Sequence, residues 1–465
     1  MKSLLLLCAL LSAPLLAAEK PNILVILADD CTYSDLPFNG GENAHTPHLD
    51  AFAKQGTVFQ RAYVGMAMCS PSRSEFYTGR LPLRNGCAWN HGTSRTGTKS
   101  MPHYLGALGY RVGLTGKTHI QPAEVYPFEK VPGYDENCVR SPTNAHDLTG
   151  VKDFMTRDAK QPFCMVVALT EPHVPWVMGD ASAYPPGKLK LPPYLADTPR
   201  TRLDFASYLA EITYMDSQVG ELLRLLDESK LDSNTLVVFS SEQGAQFPGN
   251  KWTNYDSGLH TSLVARWPGV VPAGRRTPAL VQYADVLPTF IDIAGGKVEP
   301  EQFDGSSFVP VLKGGSEKHR EFAYGMHNNF PEGPPYPIRS ITDGDWRYIR
   351  NLSPERTFIE RHMMGRTEHN AYWLTWMFHS AENPKTLRLV ERYLHRPAEE
   401  LYHTADDRFE MTNLAADAAH AGTKARLAAA LDRSLAGQAD PGIPLDTPEA
   451  HAAAGRGQPG FPSKQ

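Results

Sequence analysis

Two adjacent carboxylates, Asp29-Asp30, end an apolar run from Asn22 to Ala28. Side by side at the end of a strand buried on both faces, they are costly to hold together unless a hard cation neutralises them. Calcium and magnesium accept such oxygen ligands. A solvated turn capped by aspartate is the plainer use of the same pair. Further on, Cys69 and Arg73 stand one helical turn apart in Cys-Ser-Pro-Ser-Arg-Ser-Glu-Phe-Tyr-Thr-Gly-Arg, residues 69–80. Three more polar groups follow apolar stretches in the same way: Gly116-Lys117-Thr118-His119, Pro172-His173-Val174-Pro175-Trp176, and Glu242-Gln243-Gly244 with Lys251 close behind. Histidine titrates near neutrality and suits proton transfer, while arginine offers a planar fork of donors to an oxyanion. Taken singly, each has an ordinary use: a buried or disulfide-bonded cysteine, a surface Lys-Xaa-His, a packing histidine.

Cys-Xaa-Pro-Ser-Arg followed by Thr-Gly-Arg resembles the signature of the formylglycine-dependent (type I) sulfatases, a branch of the alkaline phosphatase superfamily. The likeness runs from about Pro21 to Ala415, through Thr46-Pro47-His48-Leu49-Asp50, Trp267-Pro268-Gly269, Asp285-Val286-Leu287-Pro288-Thr289 and Arg396-Pro397-Ala398-Glu399-Glu400-Leu401-Tyr402. The resemblance implies that a maturation enzyme oxidises Cys69 to formylglycine (3-oxoalanine). The hydrated aldehyde carries two hydroxyls; one attacks sulfur, and the other expels sulfate as the aldehyde re-forms. It also implies one calcium ion per chain, held by Asp29, Asp30, Glu242, Gln243 and residue 69. Arg73, Lys117 and Lys251 would contact the sulfate, His119 would take the proton from the second hydroxyl, and His173 would protonate the leaving group. Glu242-Gln243 departs from the family pattern, which has Asp then Asn or His; each side chain here is one methylene longer. His260 stands where many members have arginine.

The Ser-Glu-Gln-Gly sequence and the Arg-Pro-Ala-Glu-Glu-Leu-Tyr stretch look most like bacterial heparan N-sulfatase (sulfamidase)-like proteins. A sulfated glycan is the expected substrate, and His91, Arg95, Trp176, His260, His327 and Asn328 are candidates for binding it. Two other classes stay open: a phosphomonoesterase or phosphodiesterase of the same superfamily, and a catalytically silent glycan-binding relative. The first would need a Ser or Thr nucleophile and further His/Asp ligands that the sequence does not offer.

The elements that must position these residues read as an α/β fold. Strands are predicted over 22–28, 111–114, 163–169, 235–240 and 263–267, with helices over 204–226 and 279–294 between or after them. That pattern predicts a large, mostly parallel mixed sheet sandwiched by helices. Beyond Gly314-Gly315-Ser316 the texture changes to alternating segments, 321–327 and 339–351, with Asp343-Gly344 as a hairpin turn. A smaller C-terminal α+β subdomain on a short antiparallel sheet is expected, with helices over 386–394 and 415–436. The expected division is a signal peptide at 1–18, a catalytic domain at 19–315, the subdomain at 316–436 and a structureless tail at 437–465.

Met1-Lys2, the apolar run Leu4 to Leu16, and Ala17-Ala18 before Glu19 read as a secretory signal peptide, so export to a periplasm or outside the cell is expected. No stretch is long enough for a membrane span. With a net charge of −5 and no basic run, a nucleic-acid surface is excluded. An anionic substrate must therefore be drawn by a local group of cations. Cys31, Cys87, Cys138 and Cys164 could pair in an oxidising compartment or stay free.

Overall fold

The computed structural model describes residues 20–140, 142–365 and 371–455. The signal peptide expected at residues 1–18 lies outside them. The larger sheet has eight strands: β1 (Asn22–Ala28), β2 (Thr57–Tyr63), β3 (Arg111–Gly116), β4 (Glu129–Lys130), β5 (Phe163–Ala168), β6 (Thr235–Ser241), β7 (His260–Arg266) and β8 (Arg275–Gln282), in the order β4-β3-β5-β1-β6-β7-β2-β8. All neighbours are parallel except β7, which runs against both β6 and β2. Along β1, Leu24 and Ile26 enter one hydrophobic cluster while Ile23, Val25 and Leu27 enter the other. Both faces are thus buried, which is why the strand reads as an unbroken apolar run rather than an alternating one.

Four central strands finish level with one another. Gly116 pairs with Ala168, Ala168 with Leu27, and Ala28 with Ser241. The next residues of each chain segment are therefore delivered to one edge of the sheet, where parallel sheets open their ligand crevices.

The second sheet has four antiparallel strands, β9 (Ala323–His327), β10 (Ile338–Thr342), β11 (Trp346–Asn351) and β12 (Glu399–His403), in the order β12-β11-β10-β9. Asp343-Gly344 makes the expected turn, with Gly344 at φ 92°. The helix Ala421–Gln438 packs on β10 and β11, while Pro384–Leu394 packs on the helix Tyr372–Ser380. The two sheets are bonded together: Met326 N donates to Gly65 O (2.8 Å) and Gln282 Nε2 to Tyr324 O (2.9 Å).

Two expectations need correction. The helix predicted over 279–294 is strand β8 as far as Gln282, and helix only from Val286 to Ile293. The tail predicted to lack structure from 437 is ordered to Gly455: Leu445, Ala450 and Ala454 are buried, and Asp446 accepts backbone N–H groups from Asn329, Phe330 and Tyr336. Three capped backbone donors and an apolar contact hold it to the small sheet's loops. Residues 456–465 lie outside the described residues. The five described cysteines are all free.

Candidate active site

Each level strand end contributes a piece of one polar pocket. Asp29 and Asp30 follow β1, Lys117 and His119 follow β3, His173 follows β5, and Glu242 and Gln243 follow β6. Backbone bonds from Glu242 N to Ala28 O (2.9 Å) and from Lys117 N to Ala168 O (2.9 Å) extend the sheet's pairing into these turns. Gly116, at φ 80°, has no room for a side chain: a Cβ there would lie 2.0 Å from Ala168 O. Glycine lets the chain turn sharply enough to aim Lys117 inward. Cys69 begins the helix Cys69–Thr78, whose residues are all buried. That helix end supplies a partial positive charge beside position 69.

Inside the pocket, three acid–base pairs interlock. Lys117 Nζ contacts Asp29 Oδ2, Lys251 Nζ lies 2.7 Å from Asp30 Oδ2, and Arg73 grips Glu242 with Nε and Nη2 at 2.9 Å each. All six side chains are at most 2% exposed. Cys69 Sγ lies 3.7 Å from Asp29 Oδ1 and 3.4 Å from Gln243 Nε2. Gln243 Nε2 also donates to Asp30 Oδ1 (2.7 Å), and His173 Nε2 lies 3.5 Å from Asp30 Oδ2. His173 Nδ1 donates to Val174 O (2.5 Å). His119 Nε2 meets His91 Nδ1 at 2.6 Å. Four residues bordering this pocket, Asp30, His91, His119 and Trp252, have positive φ without being glycine, at 52°, 55°, 46° and 61°. Such strain collects where side-chain placement outweighs backbone comfort.

The electrostatics favour negative charge at position 69. Burial opposes ionisation of the Cys69 thiol, yet the ammonium groups of Lys117 and Lys251, helped by His119 and His173, hold it well below the usual thiol range. The two histidines diverge. Burial brings His119 down to about 4. Burial also pulls on His173, but Cys138 and Asp30 outweigh it and raise the imidazole to about 10. Burial, with Cys69 and Asp29, pushes the Glu242 carboxyl up, while the Arg73 guanidinium that grips it favours the charged form.

The donor set fits a hard divalent ion. Ligand atoms of Asp29, Cys69 and Glu242 lie within 4.8 Å of one another and Asp30 adds a carboxylate; Gln243 turns Nε2 to Asp30 and Cys69 and Oε1 to Ser72, so its amide would have to rotate to offer an oxygen.

Of the residues named from sequence as glycan binders, His91 touches this pocket directly, through His119. His260 bonds to Asp256 (2.8 Å) and Gln60 O (3.0 Å) and is stacked on Tyr33 and Tyr63, with ring centroids 3.7 and 4.6 Å away. Asp256 in turn meets Arg347 at 2.7 Å, a structural pair joining the two sheets. His327 bonds to Asn329 inside the small sheet, Asn328 donates to Ala88 O and accepts from Arg339, and Trp176 donates to Pro172 O while stacked on Phe247. Burial brings His327 down to about 3. Arg95 donates to Leu83 O (3.0 Å). These side chains are taken up by packing and by bonds within the protein.

Two residues escaped the sequence reading. Ser72 Oγ sits 3.1 Å from Glu242 Oε1 and 3.0 Å from Gln243 Oε1, bracing the pair; its position three residues after Cys69, on the same helix face, was the available signal. Trp252 lies under Lys251, 4.8 Å from Nζ to the ring centroid, and only adjacency to Lys251 hinted at it.

A helix-covered, mostly parallel sheet thus gathers carboxylates, cations and a thiol at its strand ends. A family model described as Sulfatase matches residues 21–296, and one described as N-sulphoglucosamine sulphohydrolase, C-terminal, matches 249–357. An ulvan-active sulfatase of Formosa agariphila is 34% identical over 448 residues, covering 93% of this chain and 84% of its own. N-sulphoglucosamine sulphohydrolase of Homo sapiens is 28% identical over 471 residues, covering 88% and 89%. A protein solved in complex with its substrate, D-glucosamine-2-N,6-O-disulfate, shares the fold with a TM-score of 0.68 at 20% identity, over 91% of this chain and 99% of that one. The chain belongs to the sulfatase family and is a sulfuric ester hydrolase.

Proposed function

We propose that the protein is an exported sulfatase that removes sulfate, as an O-ester or N-sulfate, from a sulfated carbohydrate, using formylglycine made from Cys69 and one bound calcium ion. The observation that carries this is the buried cluster around position 69, where Asp29, Asp30 and Glu242 interlock with Lys117, Lys251 and Arg73, together with two histidines whose environments diverge. Environments that drive a pair of titratable groups apart assign one as base and the other as acid. Near neutral pH, His119 is unprotonated and able to accept a proton; His173 is protonated and able to give one.

A hydrated aldehyde at position 69 would supply one hydroxyl to attack sulfur, its proton passing to Asp29, whose Oδ1 lies 3.7 Å from the side chain of residue 69, and a second whose deprotonation re-forms the carbonyl and expels sulfate. Calcium, held by Asp29, Asp30, Glu242, Gln243 and residue 69, would polarise the sulfate oxygens. Lys117, Lys251 and Arg73 are fixed, buried donors that bring positive charge to the anion without reorganisation. His173 donates from Nε2 to the departing sugar oxygen or nitrogen as its bond to sulfur breaks, the pair of electrons going to that atom. His119 then accepts the proton of the second hydroxyl.

The sugar is narrowed by kinship alone. Relatives named for ulvan and for N-sulphoglucosamine support a polyanionic glycan substrate. Export and the maturation enzyme rest on the segments read above, residues 1–18 and 69–80. The test is sulfate release from N-sulfoglucosamine, from ulvan oligosaccharides and from 4-nitrophenyl sulfate, against phosphate release from 4-nitrophenyl phosphate, with peptide mass spectrometry of residue 69. Sulfate release, an aldehyde at 69 and loss of both in Cys69→Ala are expected. Equal turnover of phosphate, or full activity in Cys69→Ala, would refute the proposal.

A further inference from the structure

We propose that Cys138, His173 and Asp29 form a second metal site, suited to zinc, whose occupation switches the enzyme off. A sulfur, a ring nitrogen and a carboxylate oxygen of these three residues all lie within 4.8 Å of one another. Calcium takes oxygen ligands, whereas a thiolate and an imidazole beside a carboxylate suit zinc. Tetrahedral zinc holds its ligand atoms about 3.3 to 3.7 Å apart, so an inward movement of no more than about 1.5 Å completes three ligands and leaves the fourth position to water. The imidazole is already set for the task. His173 Nδ1 donates to Val174 O (2.5 Å), which leaves Nε2, 3.5 Å from Asp30 Oδ2, turned into the pocket. Metal-binding histidines are oriented by such a bond from the other ring nitrogen.

Cys138 is placed to meet an ion arriving from solvent. It lies on the loop between β4 and the helix Thr149–Thr156, in a turn closed by Arg140 N donating to Asn137 O (3.1 Å). Its neighbours Glu136, Asn137, Val139 and Arg140 are exposed, while Cys138 itself is half-buried. Asp29 therefore faces two thiols: Cys69, whose Sγ lies 3.7 Å from Oδ1, and Cys138. Maturation of residue 69 removes the first and leaves the second. Lys117 and Lys251 already offset Asp29 and Asp30, so the cation relies on the Cys138 thiolate for its counter-charge. Binding releases the thiol proton and the imidazole proton to solvent. The inhibition rests on the sulfatase reading above: zinc takes the Nε2 lone pair that otherwise carries the acid's proton, and an oxygen of the carboxylate that receives the proton of the attacking hydroxyl.

The test uses full-length, calcium-loaded, matured enzyme, with cobalt(II) as a coloured stand-in for zinc. Cobalt should give the near-ultraviolet charge-transfer band of a cobalt–thiolate bond, and zinc should abolish it. Cys69→Ala should keep that band and Cys138→Ser should lose it. Cys138→Ser keeps the size of the side chain and removes the soft donor. It should raise the zinc concentration that halves turnover of 4-nitrophenyl sulfate by at least about tenfold, each rate being referred to the same variant without zinc. Absence of the band in the parent, a band that survives Cys138→Ser, or equal zinc sensitivity with and without the thiol would each overturn the proposal; the last result would place inhibitory zinc in the calcium site. A parent that releases no sulfate from any ester would refute the sulfatase reading instead, while the cobalt spectrum would still decide whether the metal site exists.

Discussion

Arg73 holds Glu242 in a two-pronged grip, Nε to Oε1 and Nη2 to Oε2 at 2.9 Å each, with neither side chain exposed. The remaining arm, Nη1, donates to the carbonyl of Lys117 (2.8 Å). One guanidinium thereby ties the turns after β3 and β6 to the helix that begins at Cys69. Such bidentate pairing fixes direction as well as distance.

Removing the charge from one side should therefore cost more than a surface pair would. Glu242→Gln leaves Arg73 buried without its counter-charge, and a loss of about 3–5 kcal/mol is expected from urea unfolding. A cost below about 1 kcal/mol would show that the pair carries little of the local structure.

Calcium should stabilise the folded chain through the Asp29–Asp30 turn. At a concentration a hundred times its dissociation constant, the ion should add about 2.7 kcal/mol, read as a higher melting temperature after chelation and add-back. Asp30→Asn should abolish most of that gain. A melting temperature indifferent to calcium in the parent would remove the ion from the site.

Leaving-group chemistry isolates His173. A sugar hydroxyl is a poor leaving group and needs a proton; a nitrophenolate does not. His173→Ala should slow desulfation of a sugar sulfate by roughly 10²- to 10⁴-fold, and of 4-nitrophenyl sulfate by less than about tenfold. Parallel losses on both would deny it the acid's role.

Asp285 gives the scaffold a dependence on acid. Burial favours its neutral form, but Arg320, with both nitrogens at 2.8 Å, and His319 outweigh this and lower it to about 2. Its ordinary value is 3.8, so the folded state binds the proton less tightly than the unfolded chain does. The resulting stabilisation is full above about pH 4 and fades as pH falls towards 2, about 2 kcal/mol in all. The stability gap between the parent and Asp285→Asn should shrink by that amount between pH 5 and pH 2. A gap constant over that range would contradict the assignment.

The pocket was legible because its parts are local: each polar group directly follows an apolar strand, and level strand ends bring them together. Asp29, Asp30, Lys117, His119, His173, Glu242 and Gln243 all follow such strands, and the resemblance to sulfatases singled them out. What was hidden depends on contacts far apart in the chain. His260 reads as a polar residue in a loop, yet Tyr33 and Tyr63 enclose its ring. Strand β8 was taken for helix because Ala279, Leu280 and Val281 run into a periodic apolar segment, and only pairing with β2 declares them a strand. The order of residues 440–455 rests on Asp446, whose three backbone partners lie more than a hundred positions earlier.

The complete burial of residues 69–78 also bears on timing. Any catalyst that rewrites Cys69 by gripping Cys-Ser-Pro-Ser-Arg would find no strand or loop to grasp on the finished protein. Oxidation would have to come first, on an extended nascent chain, so polypeptides that fold too quickly would be locked for good with an ordinary thiol at the bottom of the pocket.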